Sequence, residues 1–325
     1  MTRADCVPLA VLIKTWNTGE CTRLCLDAIA VADLLPEELV VVDLGDDPET
    51  RRHAESLASR HGIGLSWLPV GRRLAPAEAN RLAMEAVSAP LVCLLDNDVL
   101  VPRNWLSPTT TLLASPGVGL VAPTRPDPHL LYPGRAESTE AVLDGIMGKG
   151  IPLADVARAF TGGAPLDEFG QAVRRASDLQ RAVAVEFPSF LSSCCLFFDR
   201  AIVEDAGGVA DPAFDQCYGS EDVDLSWRVL EAGYALVRTA EVFVLHFRHT
   251  SLEANRVDYQ AEIRTANQAL YARWRKRLLA WAVARRRAGD SLADLSWRFI
   301  VRELVRNTSF AQDLEEAARL RCRLP

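Results

Sequence analysis

No apolar run in the chain approaches the ~18 residues that a membrane-spanning helix needs, so no membrane span is expected. The short apolar segment within MTRADCVPLAVLIKTW leads straight into a strand-like pattern, which does not read as a signal peptide. Basic charge is also short. The 325 residues hold 36 Lys and Arg against 43 Asp and Glu, a net charge of −7, which argues against a general nucleic-acid binder. The eight cysteines contain no CxxC spacing, so no zinc or redox centre is expected. They read as reduced, mostly buried thiols of a cytoplasmic protein. Cys194 and Cys195, adjacent in an expected strand, should point to opposite faces. The first turn, KTWNTGE, lacks GxGxxG, and no GxxxxGK[ST] occurs, so neither an ordinary dinucleotide fold nor a P-loop is expected.

What is present is a regular alternation over the first hundred residues. Strands are predicted at 9–15, 38–43, 64–68 and 91–95, and helices at 20–33, 48–61 and 76–88. The run ELVVVD is typical of a parallel strand buried on both faces. The β-α-β-α-β-α-β order predicts an α/β fold with right-handed crossovers and a parallel sheet. Ligands of such sheets bind at the carboxyl ends of the strands. Those ends carry Thr15 and Asn17, then Asp43, then Asp96 and Asp98. Each cluster alone is as compatible with a turn or cap as with a site. Asp96 and Asp98, separated only by Asn97, repel each other, so a cation is expected to hold them together.

The second half is organised differently. Residues 125–186 are rich in Pro, Gly and Ala and read as short helices broken by glycines. A strand is predicted at 190–199. Ser220 and Gly233 mark the start and stop of a helix with Val223, Trp227 and Leu230 facing inward. Its first turn holds Glu221, Asp222 and Asp224, where the helix dipole favours negative charge. Asp224 and Arg228, four apart, are expected to form a structural pair. The dipole should also keep these carboxylates deprotonated, which suits a general base. VFVLHFRHTS ends a strand at His246 and His249, two of only five histidines. Residues 271–287 form a basic helix with Trp274, Leu278 and Trp281 on one face and seven Arg or Lys around the rest. Two roles fit it: peripheral contact with an anionic membrane at its inner face, or packing on the main domain or a second subunit as a homodimer.

In this order, the pieces resemble the inverting GT-A glycosyltransferases of family 2. VLIKTWNTGECTRLCLDAI looks like that family's opening strand, turn and helix. ELVVVDLGDD resembles its nucleotide-binding strand, and ANRLAMEAVSAPLVCLLDNDVLVPRNWL the helix and strand leading to its DXD motif. FDQCYGSEDVDLSWRVLEAGY resembles the acceptor-side ED motif, VLHFRHTS the late histidine motif, and ANQALYARW the tail that often follows. The resemblance covers residues 9–125 and 188–275. Lys14 departs from it where a proline is common, and Trp16 where a tyrosine is.

The resemblance implies a GT-A fold: Rossmann-like, with a mostly parallel central sheet flanked by helices, a helical insertion at about 126–187 and a helical C-terminal extension. It implies a nucleotide-sugar-binding half at 1–107, an acceptor-side half at 108–250 and the extension at 251–325. It also implies that Asp96, Asp98 and His246 hold Mn2+ or Mg2+, with His249 the weaker candidate. Thr15, Asn17, Asp43, Arg73, Asn80, Asp96 and Asn97 would contact the nucleotide-sugar, and Arg72 is a lesser candidate. Asp222 would be the catalytic base, with Glu221 beside it. The expected partners are a nucleotide-sugar donor, UDP-linked by default, and an acceptor that is a glycan, lipid carrier, peptide or natural product. Two rivals stand beside this reading. One is an inactive carbohydrate-binding or scaffold protein of the same fold. The other is a sugar nucleotidyltransferase, which lacks support because its GxGTR-type opening is absent.

Overall fold

The computed structural model describes residues 6–124, 182–247 and 250–321. An eight-stranded sheet forms its centre. Strand β1 (Cys6–Thr15) lies between β2 (Leu35–Asp43) and β4 (Leu91–Asp96), parallel to both, and β3 (Gly64–Pro69) adds in parallel beyond β2. Helices α1 (Gly19–Ala30), α2 (Pro48–His61) and α3 (Pro76–Glu85) make the crossovers. Local chemistry sets these boundaries. The Asp47 carboxylate accepts the first amides of α2, proline opens that helix, and Gly62 ends it at φ 69°.

The second half of the sheet is mixed, with two of its strands reversed. The sequence passes through β5 (Val99–Leu100), α4 (Leu106–Leu113), β6 (Val118–Thr124), β7 (Ala182–Val185) and β8 (Cys195–Asp199). It continues with α5 (Arg200–Asp205), α6 (Glu221–Glu231), β9 (Ala235–Phe243) and β10 (Leu245–His246). Strand β8 runs antiparallel to both β4 and β6, β9 pairs in parallel with β6, and β7 forms an antiparallel edge on β9. The expected insertion lies outside the described residues up to 181, and 182–185 is this edge strand. His249 also lies outside them.

The strand expected at 190–199 begins only at Cys195. Residues before it are tied to α6 instead. The Leu191 amide donates to Ser226 Oγ (3.1 Å), and the Ser193 amide to Asp222 Oδ2 (3.2 Å). Cys194 therefore precedes the strand and shares a core layer with Cys195, rather than facing the opposite side as strand alternation predicted.

Period-2 alternation divides the core between the two sheet faces. Leu9, Val11 and Ile13 of β1 pack with the α1, α2 and α4 layer, and Ala10 and Leu12 with the α3 and α6 layer. Continued one step further, the alternation turns Lys14 toward α3 and Thr15 toward α1. Their first partners are Asn80 and Thr22 respectively.

The C-terminal segment adds α7 (Thr250–Ala254), α8 (Tyr259–Arg287), α9 (Leu292–Leu295), α10 (Phe299–Asn307) and α11 (Phe310–Arg321). Among the described residues no helix is long and apolar enough to cross a membrane. Trp274 and Leu278 of α8 are buried, and Trp274 meets Trp227 of α6 edge-on at 5.4 Å. The apolar face that lipid contact would require is thus occupied by packing on the main domain, the other role considered for this helix.

One carboxylate ties α8 to α6. Asp224 is fully buried, accepts from Arg228 Nε (2.7 Å) and Trp274 Nε1 (2.8 Å), and forms an ion pair with Arg273 (Nε at 2.8 Å). Arg228 also donates to the carbonyls of Ala206 and Gly208. Removing one partner of a buried pair leaves the other charge uncompensated, so Asp224→Ala is expected to cost ~3–5 kcal/mol. Urea unfolding measures this, and a loss below ~1 kcal/mol, the range of an exposed pair, would count against the anchor.

Candidate active site

A cavity of about 370 Å3 opens at the carboxyl ends of β1 and β4. Three segments bring its acidic groups together. The chain turns at Asn97 and Asp98 immediately after β4. The two-residue strands β5 and β10 then pair antiparallel, with His246 opposite Val99. This register sets His246 Nε2 3.2 Å from Asp98 Oδ1 and 3.7 Å from Asp96 Oδ2. A turn, not the extended run expected from the sequence, brings both aspartates to one histidine.

The ligand atoms of Asp96, Asp98 and His246 all lie within 4.8 Å of one another. Two carboxylate oxygens and one imidazole nitrogen at that spacing fit a divalent cation that prefers oxygen and tolerates nitrogen. Burial alone would push the His246 imidazole down. The charge and hydrogen bond of Asp98 push it up instead, to about 10, so the imidazole itself neutralises part of the acidic cluster. Lys14 is a second cation here. Its Nζ donates to Asn80 Oδ1 at 2.9 Å and stands 3.8 Å from Asp96 Oδ1.

The first turn of α6 supplies the facing acids. Asp222 accepts from the amides of Ser193 and Val223 (3.2 and 2.8 Å), which fix its orientation at the cavity wall. Glu221 is buried, and Ser193 Oγ donates to it at 3.5 Å. Desolvation, with the Asp222 charge beside it, raises the Glu221 carboxyl to about 8. For Glu221 this corrects the expectation that the helix dipole keeps the acid ionised. Loss of water at a buried carboxylate outweighs the dipole, which is worth ~0.3–1 kcal/mol near the surface. Ser220 is not the side-chain cap expected. It adopts φ 67°, and its hydroxyl donates to Asn267 on α8. Tyr218 also lines the cavity, and burial keeps its phenol well above its ordinary value.

The other residues predicted from the sequence are distributed as follows. Thr15, Arg73 and Asn97 line the cavity; Asn17, Asp43 and Asn80 do not. Asn97 Nδ2 donates to Thr18 and Thr22 of the α1 segment (2.7 and 2.8 Å). Thr15 Oγ1 lies 2.7 Å from Thr22 Oγ1, and Asn17 donates to Asn255 at 2.6 Å. Asp43 accepts the Gly45 amide at 3.1 Å, and Asn80 holds Lys14. Arg73 makes a two-pronged pair with Glu262 of α8 (2.7 and 2.5 Å) and lies over the Trp16 ring at 5.4 Å. Arg72 pairs with Glu78.

Sequence reasoning missed Lys14, Phe190, Tyr218, Asn267 and Phe299 as lining residues. A lysine closing an otherwise apolar strand was the available signal for Lys14. For Asn267 and Phe299, carried by the C-terminal helices, no local signal exists.

A carboxyl held near 8 in the fold and near 4.5 when unfolded binds its proton more tightly in the native state. Its contribution to stability is present in acid and is lost as pH rises from 4.5 through 8. Glu221→Gln should therefore flatten the pH dependence of urea stability between pH 5 and pH 8 by ~2 kcal/mol or more. Parallel curves for the two proteins, measured in EDTA, would contradict the raised value.

Comparison with known proteins places the chain in a family. Residues 7–265 match the sequence profile described as glycosyltransferase like family 2. Over 182 residues the chain is 26% identical to the pre-mycofactocin glycosyltransferase of Mycobacterium tuberculosis, an alignment covering 54% of this chain and 31% of that protein. The chain thus spans about a third of the length of the curated relatives it matches. Among solved structures, the mannosyltransferase PcManGT from Pyrobaculum calidifontis, in complex with GDP-Man and Mn2+, superposes with a TM-score of 0.53 at 19% identity, over 96% of this chain and 73% of that one. TarS 1-349 of S. aureus in complex with UDP-GlcNAc gives 0.52 at 14% identity, over 93% and 72%. GalNAc-T7 with UDP, GalNAc and Mn2+ gives 0.54 at 14% identity, over 98% and 58%. At such identities the superpositions show a shared fold, that of the GT-A glycosyltransferases. Together with the profile match across most of its length, this fold establishes that the chain belongs to glycosyltransferase family 2.

Proposed function

We propose that the chain transfers a single sugar from a nucleotide-sugar, with UDP-sugars favoured, to an acceptor nucleophile with inversion at the anomeric carbon. The observation that carries this reading is the placement in one cavity of the Asp96–Asp98–His246 cluster and the amide-held Asp222. Asp96, Asp98 and His246 would hold Mn2+ or Mg2+; the Mn2+ in two of the structural relatives supports the first. When bound there, the cation supplies charge neutralisation to the departing nucleoside diphosphate.

The chain's own residues do the rest. Asp222 takes the proton of the acceptor nucleophile as that group attacks from the face opposite the diphosphate. Its two amide donors keep the carboxylate from turning toward Ser193 Oγ or Glu221. Glu221, raised to about 8 by burial beside Asp222, is protonated at neutral pH and does not compete for the acceptor's proton. Thr15, Trp16 and Arg73 form the nucleotide end of the cavity, with Asn17 and Asp43 behind them, shaping the turns that follow β1 and β2. Asn97 ties the turn between the two aspartates to α1 and so fixes their spacing. The acceptor is a glycan, lipid carrier, peptide or natural product.

Two variants separate the roles. Asp222→Asn should keep donor affinity within ~2-fold and lower transfer by ~10^2–10^4-fold, the usual share of a general base. Full transfer by that variant would remove Asp222 from the role. Asp98→Ala should abolish the Mn2+-dependent part of nucleotide binding. Calorimetry of UDP, GDP and dTDP, each with Mn2+ and with EDTA, measures it. Unchanged affinity in the variant would sink the cation site.

A further inference from the structure

Two hydrogen-bond donors that line the cavity have no role in the transfer chemistry described above. Lys14 follows Ala10 and Leu12 on the α3 face of β1, so its side chain runs inward with only 14% exposed. An ammonium has three protons to donate. Asn80 accepts one at 2.9 Å, and Asp96 at 3.8 Å lies beyond hydrogen-bond distance. Asn267, on α8, is 2% exposed and lines the same cavity. Its Oδ1 accepts from Ser220 at 3.1 Å, while its Nδ2 has no hydrogen-bond partner among the described residues. A buried amide donor left unpaired opposes folding, which makes it an indication of a missing partner.

Their positions locate that partner. Lys14 stands beside Asp96, at the cation cluster. Asn267 is bonded to Ser220, the residue before Glu221 and Asp222, at the base. The space between cation cluster and base is where the ring of a transferred sugar must lie, because its anomeric carbon is attacked from one side and departed from on the other. We propose that Lys14 Nζ and Asn267 Nδ2 read the transferred sugar by donating to its oxygens, and so set donor specificity. This rests on the nucleotide-sugar site proposed above. Two donors, one of them charged, favour a sugar that presents oxygens as acceptors at these positions. They select against a deoxy or apolar substituent there, because the buried donors would then stay unpaired.

The test is calorimetry with Mn2+, comparing UDP, GDP and dTDP with UDP-glucose, GDP-mannose and dTDP-glucose. For the nucleotide that binds, Lys14→Met and Asn267→Leu should each weaken the sugar-nucleotide by ~10-fold relative to the bare diphosphate. Asn267→Leu also takes the acceptor from the buried Ser220 hydroxyl, so a lower Tm is expected and does not discriminate; a merely structural asparagine would lower both affinities together. Lys14→Gln, a smaller change, should show the same split and serves if Lys14→Met does not fold. Equal loss for sugar-nucleotide and diphosphate, or no loss for either, overturns this assignment and leaves the donor site standing. Failure of the unsubstituted chain to bind any of the six compounds overturns the donor site itself, and this assignment with it.

Discussion

Four carboxylates, Asp96, Asp98, Glu221 and Asp222, share one cavity, and their mutual repulsion is the constraint that the rest of the site answers. Each is relieved differently. Asp98 draws a proton onto His246 and lies against it at 3.2 Å. Asp96 faces the Lys14 ammonium. Asp222 takes two backbone amides. Glu221, buried beside Asp222, gives up its charge by staying protonated near neutral pH. Such a cluster is expensive to assemble and has little structural use, since acids that only stabilise a helix would do so at its exposed first turn. A divalent cation between Asp96, Asp98 and His246 is the partner this arrangement suits best.

The fold makes the arrangement hard to avoid. Parallel pairing of β1 and β4 sets Lys14 opposite Asp96 in register. Antiparallel pairing of β10 with β5 sets His246 opposite Val99, next to Asp98. Neither pairing depends on the charged side chains themselves. The apolar residues around them hold the register: a one-residue slip of β1 would turn Leu9, Val11 and Ile13 out of one core and Ala10 and Leu12 out of the other.

Much of this was legible in the sequence because it follows from local periodicity and turn chemistry. The first four strands and three helices lie within a few residues of their predicted positions, and Pro48–His61 has the predicted ends. The acidic motifs were visible as residue types at strand and helix ends. What was not legible depends on contacts far apart in the chain. The protonation of Glu221 follows from burial under a loop some thirty residues upstream, where Ser193 lies. The late start of β8 follows from Leu191 and Ser193 bonding to α6, which outcompetes the strand propensity of an apolar run. Lys14 stood out only as a departure from a family pattern. Its meaning depends on Asn80, 66 residues away.

The C-terminal helices read in the sequence as an appendage, but they are part of the site. Asn267, Phe299 and Ile300 line the cavity, and Arg73 reaches across from the strand β3 side to Glu262 at the start of α8. What keeps α8 in that place is the Asp224 carboxylate, which pairs with Arg273 and accepts from Trp274, two turns beyond Asn267 on the same helix. Asp224 belongs to the same first turn of α6 as Glu221 and Asp222. One turn of helix therefore orients the candidate base toward the cavity and, from its buried side, fixes the wall opposite. A substitution that loosens Asp224 must shift Asn267 relative to Asp222, so stability of the extension and geometry of the site cannot vary independently.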